Sequence, residues 1–151
     1  MSEADTYHQQ TMRATPELFS DETRQLLETG ELMPATTYIN AQRSRLAIKN
    51  AFKQAMRDVD VLVTPTQPTT ALKIGQTTSR IGAREESVFG VSARFCAPFN
   101  ISGLPAISVP CGFSPQGMPI GLQIIGKPFD EETFERSTQW HLKYPAIATQ
   151  T

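Results

Sequence analysis

The sequence predicts an α/β protein, because helical patterns at both ends enclose several short β-branched runs. The first helix follows a turn at Pro16 and ends near Gly30, and the second extends from Thr36 or Thr37 to about residue 58. In the second helix apolar side chains recur at helical spacing, while Arg and Lys cover most of the other face. The order of elements lacks a clean βαβ alternation, so an α+β arrangement stays open.

Three short runs predict buried strands. The first covers residues 59–64 and stops at Pro65, which cannot donate to a ladder. The other two cover residues 106–113 and 120–126 and are joined through a Pro-x-Gly turn. Their apolar positions predict the core: Val61, Ile107, Val109, Leu122 and Ile124.

The remaining segments are predicted from their turn residues. Residues 65–86 are rich in Thr, Pro, Gly and Ser, which predicts a long surface connection. A short helix is expected over residues 87–95 and an irregular stretch over residues 99–104. A last helix begins at Asp130, where acidic residues suit the positive end of the helix dipole, and it ends at Tyr144.

The composition excludes several classes of protein. With 39% hydrophobic and 19% charged residues, the 151-residue chain fits one globular domain rather than a disordered one. A net charge of −1 provides no basic surface for nucleic acid or an acidic membrane. Cys96 and Cys111 have no metal-ligand spacing and are expected to be small buried hydrophobes. The absence of a leader pattern and of a disulfide framework predicts a cytoplasmic location.

Three stretches carry a resemblance to a known family: residues 60–68, 97–112 and 117–131. In order and spacing they resemble the C-terminal third of amidase-signature enzymes. That family includes one of the subunits of glutamyl-tRNA amidotransferase, the A subunit, together with many bacterial amidases. The resemblance covers residues 4–144 as the C-terminal portion of an amidase-signature domain and leaves residues 145–151 as a tail.

The resemblance implies a mixed β-sheet covered by helices on both faces. It also implies catalysis by a nucleophilic serine, a second serine in a cis peptide and a basic lysine, without a cofactor or a metal. In the family these residues surround a Gly-Gly-Ser-Ser-Gly-Gly motif in the N-terminal half. This sequence does not contain that motif, and its nearest counterpart is Ser102-Gly103. No catalytic residue is assigned, so we expect the chain to be inactive alone, because a serine needs a positioned base and oxyanion donors.

Four residues are candidates for the wall of a substrate pocket, because the matching segment lies near the cleft in the family: Arg94, Phe95, Phe99 and Asn100. The structural alternative is that the two Phe residues are core, Asn100 satisfies a turn and Arg94 is solvated. Subunits that use glutamine carry an acidic residue where this chain has Ala93, followed by Arg94. A cation does not hold a substrate ammonium group, so a general amidase is favoured as the parent enzyme.

Two functions of different classes stay open. The chain is either part of an amidase, which when complete hydrolyses a linear carboxamide to an acid and ammonia, or a non-catalytic module that binds a partner. The second class includes one component of a split amidase or amidotransferase. Removing the strands of the N-terminal half would bare strand edges and apolar surface. The expected partners are therefore a second copy of the chain or an N-terminal amidase half, with no nucleic acid and no membrane.

Overall fold

The computed structural model describes residues 1–143, apart from the side chains of residues 134 and 140–143. The predicted tail at residues 145–151, and the predicted helix end at residue 144, lie outside the described residues. Helices and small antiparallel sheets occur together, which confirms the predicted α/β class. The chain divides into two compact units, one covering Met1–Arg45 and the other beginning at Leu46.

The first unit is helical. It contains α1 (Ser2–Ala14), a short 3-10 turn (Pro16–Leu18), α2 (Asp21–Glu31) and the first part of α3 (Ala35–Ala55). The side chain of Ser20 caps α2 by accepting a hydrogen bond from the Thr23 amide. Helix α1 was not predicted, because it buries none of its residues and so has no apolar stripe by which the sequence would reveal it.

Contacts between α1 and the later helices hold the first unit together. A Cβ atom added at Gly30 of α2 would lie 2.8 Å from the Cβ of Asp5, so the close approach of the two helices depends on glycine. The Tyr38 hydroxyl donates to a Glu3 carboxylate oxygen at 3.0 Å. This hydrogen bond raises the pKa of Tyr38, since the phenol proton is held by the acceptor. The entry of α3 is thereby tied to α1.

The second unit contains five strands and three further helices. The strands are β1 (Leu62–Pro65), β2 (Thr78–Ile81), β3 (Arg84–Ser87), β4 (Ala106–Phe113) and β5 (Pro119–Ile125). The helices are α4 (Val88–Ala93), α5 (Ala97–Ser102) and α6 (Glu131–Lys143). One antiparallel sheet has the order β1-β5-β4, and β2 pairs with β3 in a separate hairpin. Three predicted strands, their turn, and the helices at residues 87–95 and 130 onward are confirmed.

Two expectations about local structure were wrong. Part of the predicted surface connection forms the β2–β3 hairpin, whose turn is at Gly82. The hairpin escapes prediction because its strands are mostly polar and show no apolar alternation. The stretch after Pro98 is helical rather than irregular, and Gly103 ends α5 with a positive φ of 73°. Proline fits the first turn of this helix because no amide hydrogen is required there.

The core differs in part from the predicted one. Val109 and Ile124 are buried as expected, each with 4% of its surface exposed, but Val61, Ile107 and Leu122 are only half-buried. Ile125 and Val91 are fully enclosed and were not predicted. Ile125 is enclosed because β5 lies in the middle of the sheet, where consecutive residues are buried on both faces. None of the helices among the described residues is long and apolar enough to cross a membrane.

Candidate functional site

The four predicted pocket residues lie at two different places in the second unit. Arg94 and Phe95 belong to the turn between α4 and α5, while Phe99 and Asn100 lie within α5. The Arg94 guanidinium pairs with the carboxylate of Glu86 in β3, and its side chain is 41% exposed. Its positive charge is therefore neutralised locally rather than directed at a pocket.

Phe95 has a half-buried ring, and its backbone carbonyl makes a tertiary hydrogen bond within the second unit. Its carbonyl oxygen accepts a hydrogen bond from the side-chain amide of Gln123 in β5, at 2.9 Å. The next residue, Cys96, lies with its sulfur 3.7 Å from the carbonyl oxygen of Thr66. Both cysteines are free and half-buried, so neither is the fully buried hydrophobe that the sequence suggested.

Phe99 and Asn100 line an open groove of about 1350 Å³. The C-terminal half of α3 forms one wall, and the segments around Gly103 and Phe129 form others. The Phe99 ring is buried and lies 5.4 Å from the ring of Phe52, so it packs as core at the groove floor. Asn100 is exposed to the groove, which leaves its amide available for polar contacts.

The groove combines apolar surface with positive charge. Its basic lining residues are Lys49, Lys53, Arg57 and Lys127. Among the described lining residues Glu131 is the single carboxylate, and Arg57 also lies 3.7 Å from Asp58. Phe129 at the rim is 95% exposed and has a left-handed φ of 62°, an uncommon conformation for a bulky residue. An anionic or carbonyl-bearing group would be favoured in such a groove over a cation.

The serine in the groove is not poised for nucleophilic attack. Ser102 is buried, and its hydroxyl donates to the carbonyl oxygen of Phe99, in the same helix, at 3.1 Å. A nucleophilic serine needs its hydroxyl hydrogen bonded to a base instead. Among the described residues, no group of three or more His, Cys, Asp or Glu side chains could hold a metal ion. This groove offers binding surface, and its described residues do not assemble a serine–base pair.

A row of polar side chains on the sheet was not predicted from the sequence. It consists of Thr64, Ser108 and Gln123, which the strand register places side by side, and of Thr66, which follows β1 and donates its amide to the Gly121 carbonyl oxygen. The hydroxyls of Thr66 and Ser108 are 2.6 Å apart and meet over Gly121. A Cβ at Gly121 would lie 2.7 Å from the Thr66 hydroxyl, so a larger residue would break this pair. The sequence signal was a glutamine and a glycine inside an otherwise apolar strand, where a polar side chain needs a partner.

Comparison with known proteins identifies the family. The amidase family profile matches residues 1–134. The A subunit of the Nostoc sp. glutamyl-tRNA(Gln) amidotransferase is 46% identical over 118 residues, which cover 74% of this chain and 23% of that protein. An amidase of Pseudomonas putida is 36% identical over 156 residues, covering 97% of this chain and 33% of that enzyme.

Solved structures agree with the sequence matches. A crystal structure of an amidase aligns with a TM-score of 0.85 at 27% identity, covering 92% of this chain and 32% of that one. The A subunit of the Thermotoga maritima glutamyl-tRNA(Gln) amidotransferase aligns with a TM-score of 0.53 at 31% identity, covering 76% and 25%. The chain thus spans between 23% and 33% of the length of these relatives. By its profile, its relatives and its fold, the chain belongs to the amidase family.

Proposed function

We propose that this chain is the C-terminal part of an amidase that, when complete, hydrolyses a linear carboxamide to a carboxylic acid and ammonia. The groove carries the proposal, because it presents Phe99 and Asn100 on a binding surface while the nearby Ser102 is held in a backbone hydrogen bond. A surface of this kind can bind and orient a substrate, but it cannot supply the nucleophile. Without a further portion the chain is inactive.

Within the proposed enzyme, Phe99 supports the pocket floor and Asn100 offers a polar contact to the substrate amide. Arg94 and Phe95 act as support for the turn that precedes α5, since their contacts are with Glu86 and Gln123. The ion pair of Arg94 also bears on the choice of substrate. A neutralised guanidinium does not repel a substrate ammonium group strongly, so Arg94 does not count against a glutamine donor.

A general amidase is still the parent that we propose. The Pseudomonas putida amidase matches 97% of this chain, and the A subunit of the Synechococcus elongatus amidotransferase also matches 97%. Coverage therefore does not separate the two classes, and the choice of a general amidase rests on Ala93, which stands where subunits that use glutamine carry an acidic residue. We also propose a cytoplasmic location.

Ammonia release from acetamide and benzamide tests the proposal. We expect no release above the buffer blank from the purified chain. We expect activity when the chain is co-expressed with the portion of the Pseudomonas putida amidase that it does not match. Ammonia release by the chain alone that is abolished by Ser102→Ala, and not by the matched exposed control Ser44→Ala, would contradict the proposal. Failure of every reconstituted mixture to form a complex would favour the second function.

That second function is a non-catalytic module that binds a partner or a second copy of itself. It is favoured by the edges of the sheet, since among the described residues β1 and β4 each pair with β5 alone. Val63 in β1 and Phe113 in β4 are also exposed, at 53% and 73%. Unpaired strand edges beside apolar side chains are surfaces that proteins normally cover.

A further inference from the structure

Gln123 is a buried amide in the middle strand of the sheet. It is 5% exposed and is flanked in sequence by Leu122 and Ile124. Its Nε2 atom donates to the Phe95 carbonyl oxygen at 2.9 Å and to the Thr64 hydroxyl at 3.1 Å. Both amide hydrogens are therefore used, as burial of the group requires. An apolar residue would suit this position better if the strand needed only packing, so the amide calls for another reason.

The partner of Gln123 lies in the turn that leads into α5. Two other contacts lie in this region: Gln67 donates to the carbonyl oxygen of Ser92 at the end of α4, at 3.0 Å, and the Cys96 thiol, within the turn, lies against the Thr66 carbonyl oxygen. Gln67 is exposed and Cys96 makes only a weak sulfur contact. In this set, Gln123 is the side chain that is itself buried, so water competes less for its partly buried hydrogen bond to Phe95.

The geometry points to Gln123 as a positioning residue for α5. Its bond fixes the carbonyl of Phe95, and α5 begins two residues later at Ala97. The first turn of α5 carries Phe99, and Asn100 follows it at the groove. Phe99 and Ser102 are buried, so the anchored turn, together with this packing, sets where Phe99 and Asn100 lie. The role of α5 in binding substrate rests on the proposed function, whereas the anchoring itself does not.

Hydrogen exchange of the chain alone tests the anchoring. Gln123→Met keeps the length of the side chain and removes both donors. We expect amides of the turn and of the first turn of α5 to exchange about tenfold faster, as loss of the hydrogen bond to Phe95 allows. The β2–β3 hairpin should keep its exchange rates. Gln116→Met, at the exposed β4–β5 turn, is the matched control and should change neither region. A uniform change across the second unit, or none, would overturn the inference.

A second measurement avoids the risk that the variant does not fold. In the unsubstituted chain, the hydrogen bond should transmit a scalar coupling between the Gln123 side-chain nitrogen and the Phe95 carbonyl carbon. The absence of that coupling, with both resonances assigned, would also overturn the inference.

The reconstituted enzyme separates this inference from the proposed function. There Gln123→Met should raise KM about tenfold with little change in kcat, since the substrate wall moves while the nucleophile does not. An unchanged KM together with faster exchange in the turn would refute a pocket role for α5 and leave the anchoring intact. An unchanged exchange pattern would refute the anchoring, whatever KM does.

Discussion

Ile125 is the residue for which the structure gives the clearest prediction of a loss of stability on substitution. The side chain is fully enclosed, in the middle strand of the sheet, opposite Leu62 in β1 and Ala106 in β4. Ile125→Ala removes three carbon atoms at about 0.8 kcal/mol each, or about 2.4 kcal/mol in total. The cavity left in a central strand adds to this, so we expect a loss of about 2–5 kcal/mol in the free energy of unfolding.

Urea denaturation followed by far-UV circular dichroism measures this loss. With a slope of about 2 kcal/mol per molar, the midpoint should fall by about 1–2.5 M. Leu122→Ala in the same strand should cost less, about 1–2 kcal/mol, because Leu122 is only half-buried. Ile74→Ala is the control, since Ile74 is 107% exposed and its loss should stay within about 0.5 kcal/mol. The reasoning would be refuted if Ile125→Ala shifted the midpoint no further than Ile74→Ala.

Two further predictions concern the turn and the sheet edges. A double-mutant cycle of Arg94→Met and Glu86→Gln should give a coupling of about 0.2–1 kcal/mol by urea denaturation, because the Arg94 side chain is 41% exposed and water screens the pair. A coupling of zero would mean that the pair does not hold the hairpin to the turn. Among the described residues β1 and β4 each pair only with β5, which predicts self-association, so light scattering after size exclusion should show a homodimer or larger species that dissociates on tenfold dilution. A single monomer at every concentration would show that these edges are protected in another way.

Local sequence patterns predicted much of the fold correctly. Strands β4 and β5 and the turn between them follow from β-branched runs on either side of a Pro-x-Gly sequence, which are signals contained within a few residues. The family resemblance was likewise contained in the sequence, since it depends on the order and spacing of three stretches, and the profile match confirms it. Helix α1 and the β2–β3 hairpin were missed because both are polar, so no apolar period marks them.

The candidate site could be predicted only in part. Phe99 and Asn100 lie at the groove, but the same reasoning could not separate them from Arg94 and Phe95, a few residues earlier. The difference is tertiary: the hairpin brings Glu86 to Arg94, and β5 brings Gln123 to Phe95. The second of these contacts joins residues that are 28 positions apart.

The sequence by itself determined the family, the class of fold and the local elements with strong apolar or turn signals. The tertiary structure alone decided which strand is central, and hence that Ile125 is enclosed while Leu122 and Ile107 are half-buried. It also decided that Gln123 has partners for both of its amide hydrogens. The physical reason is that burial and hydrogen-bond satisfaction depend on pairings such as Leu62 with Ile125, between segments far apart in the chain. A local pattern shows that a strand exists, but it does not show what lies on either side of it.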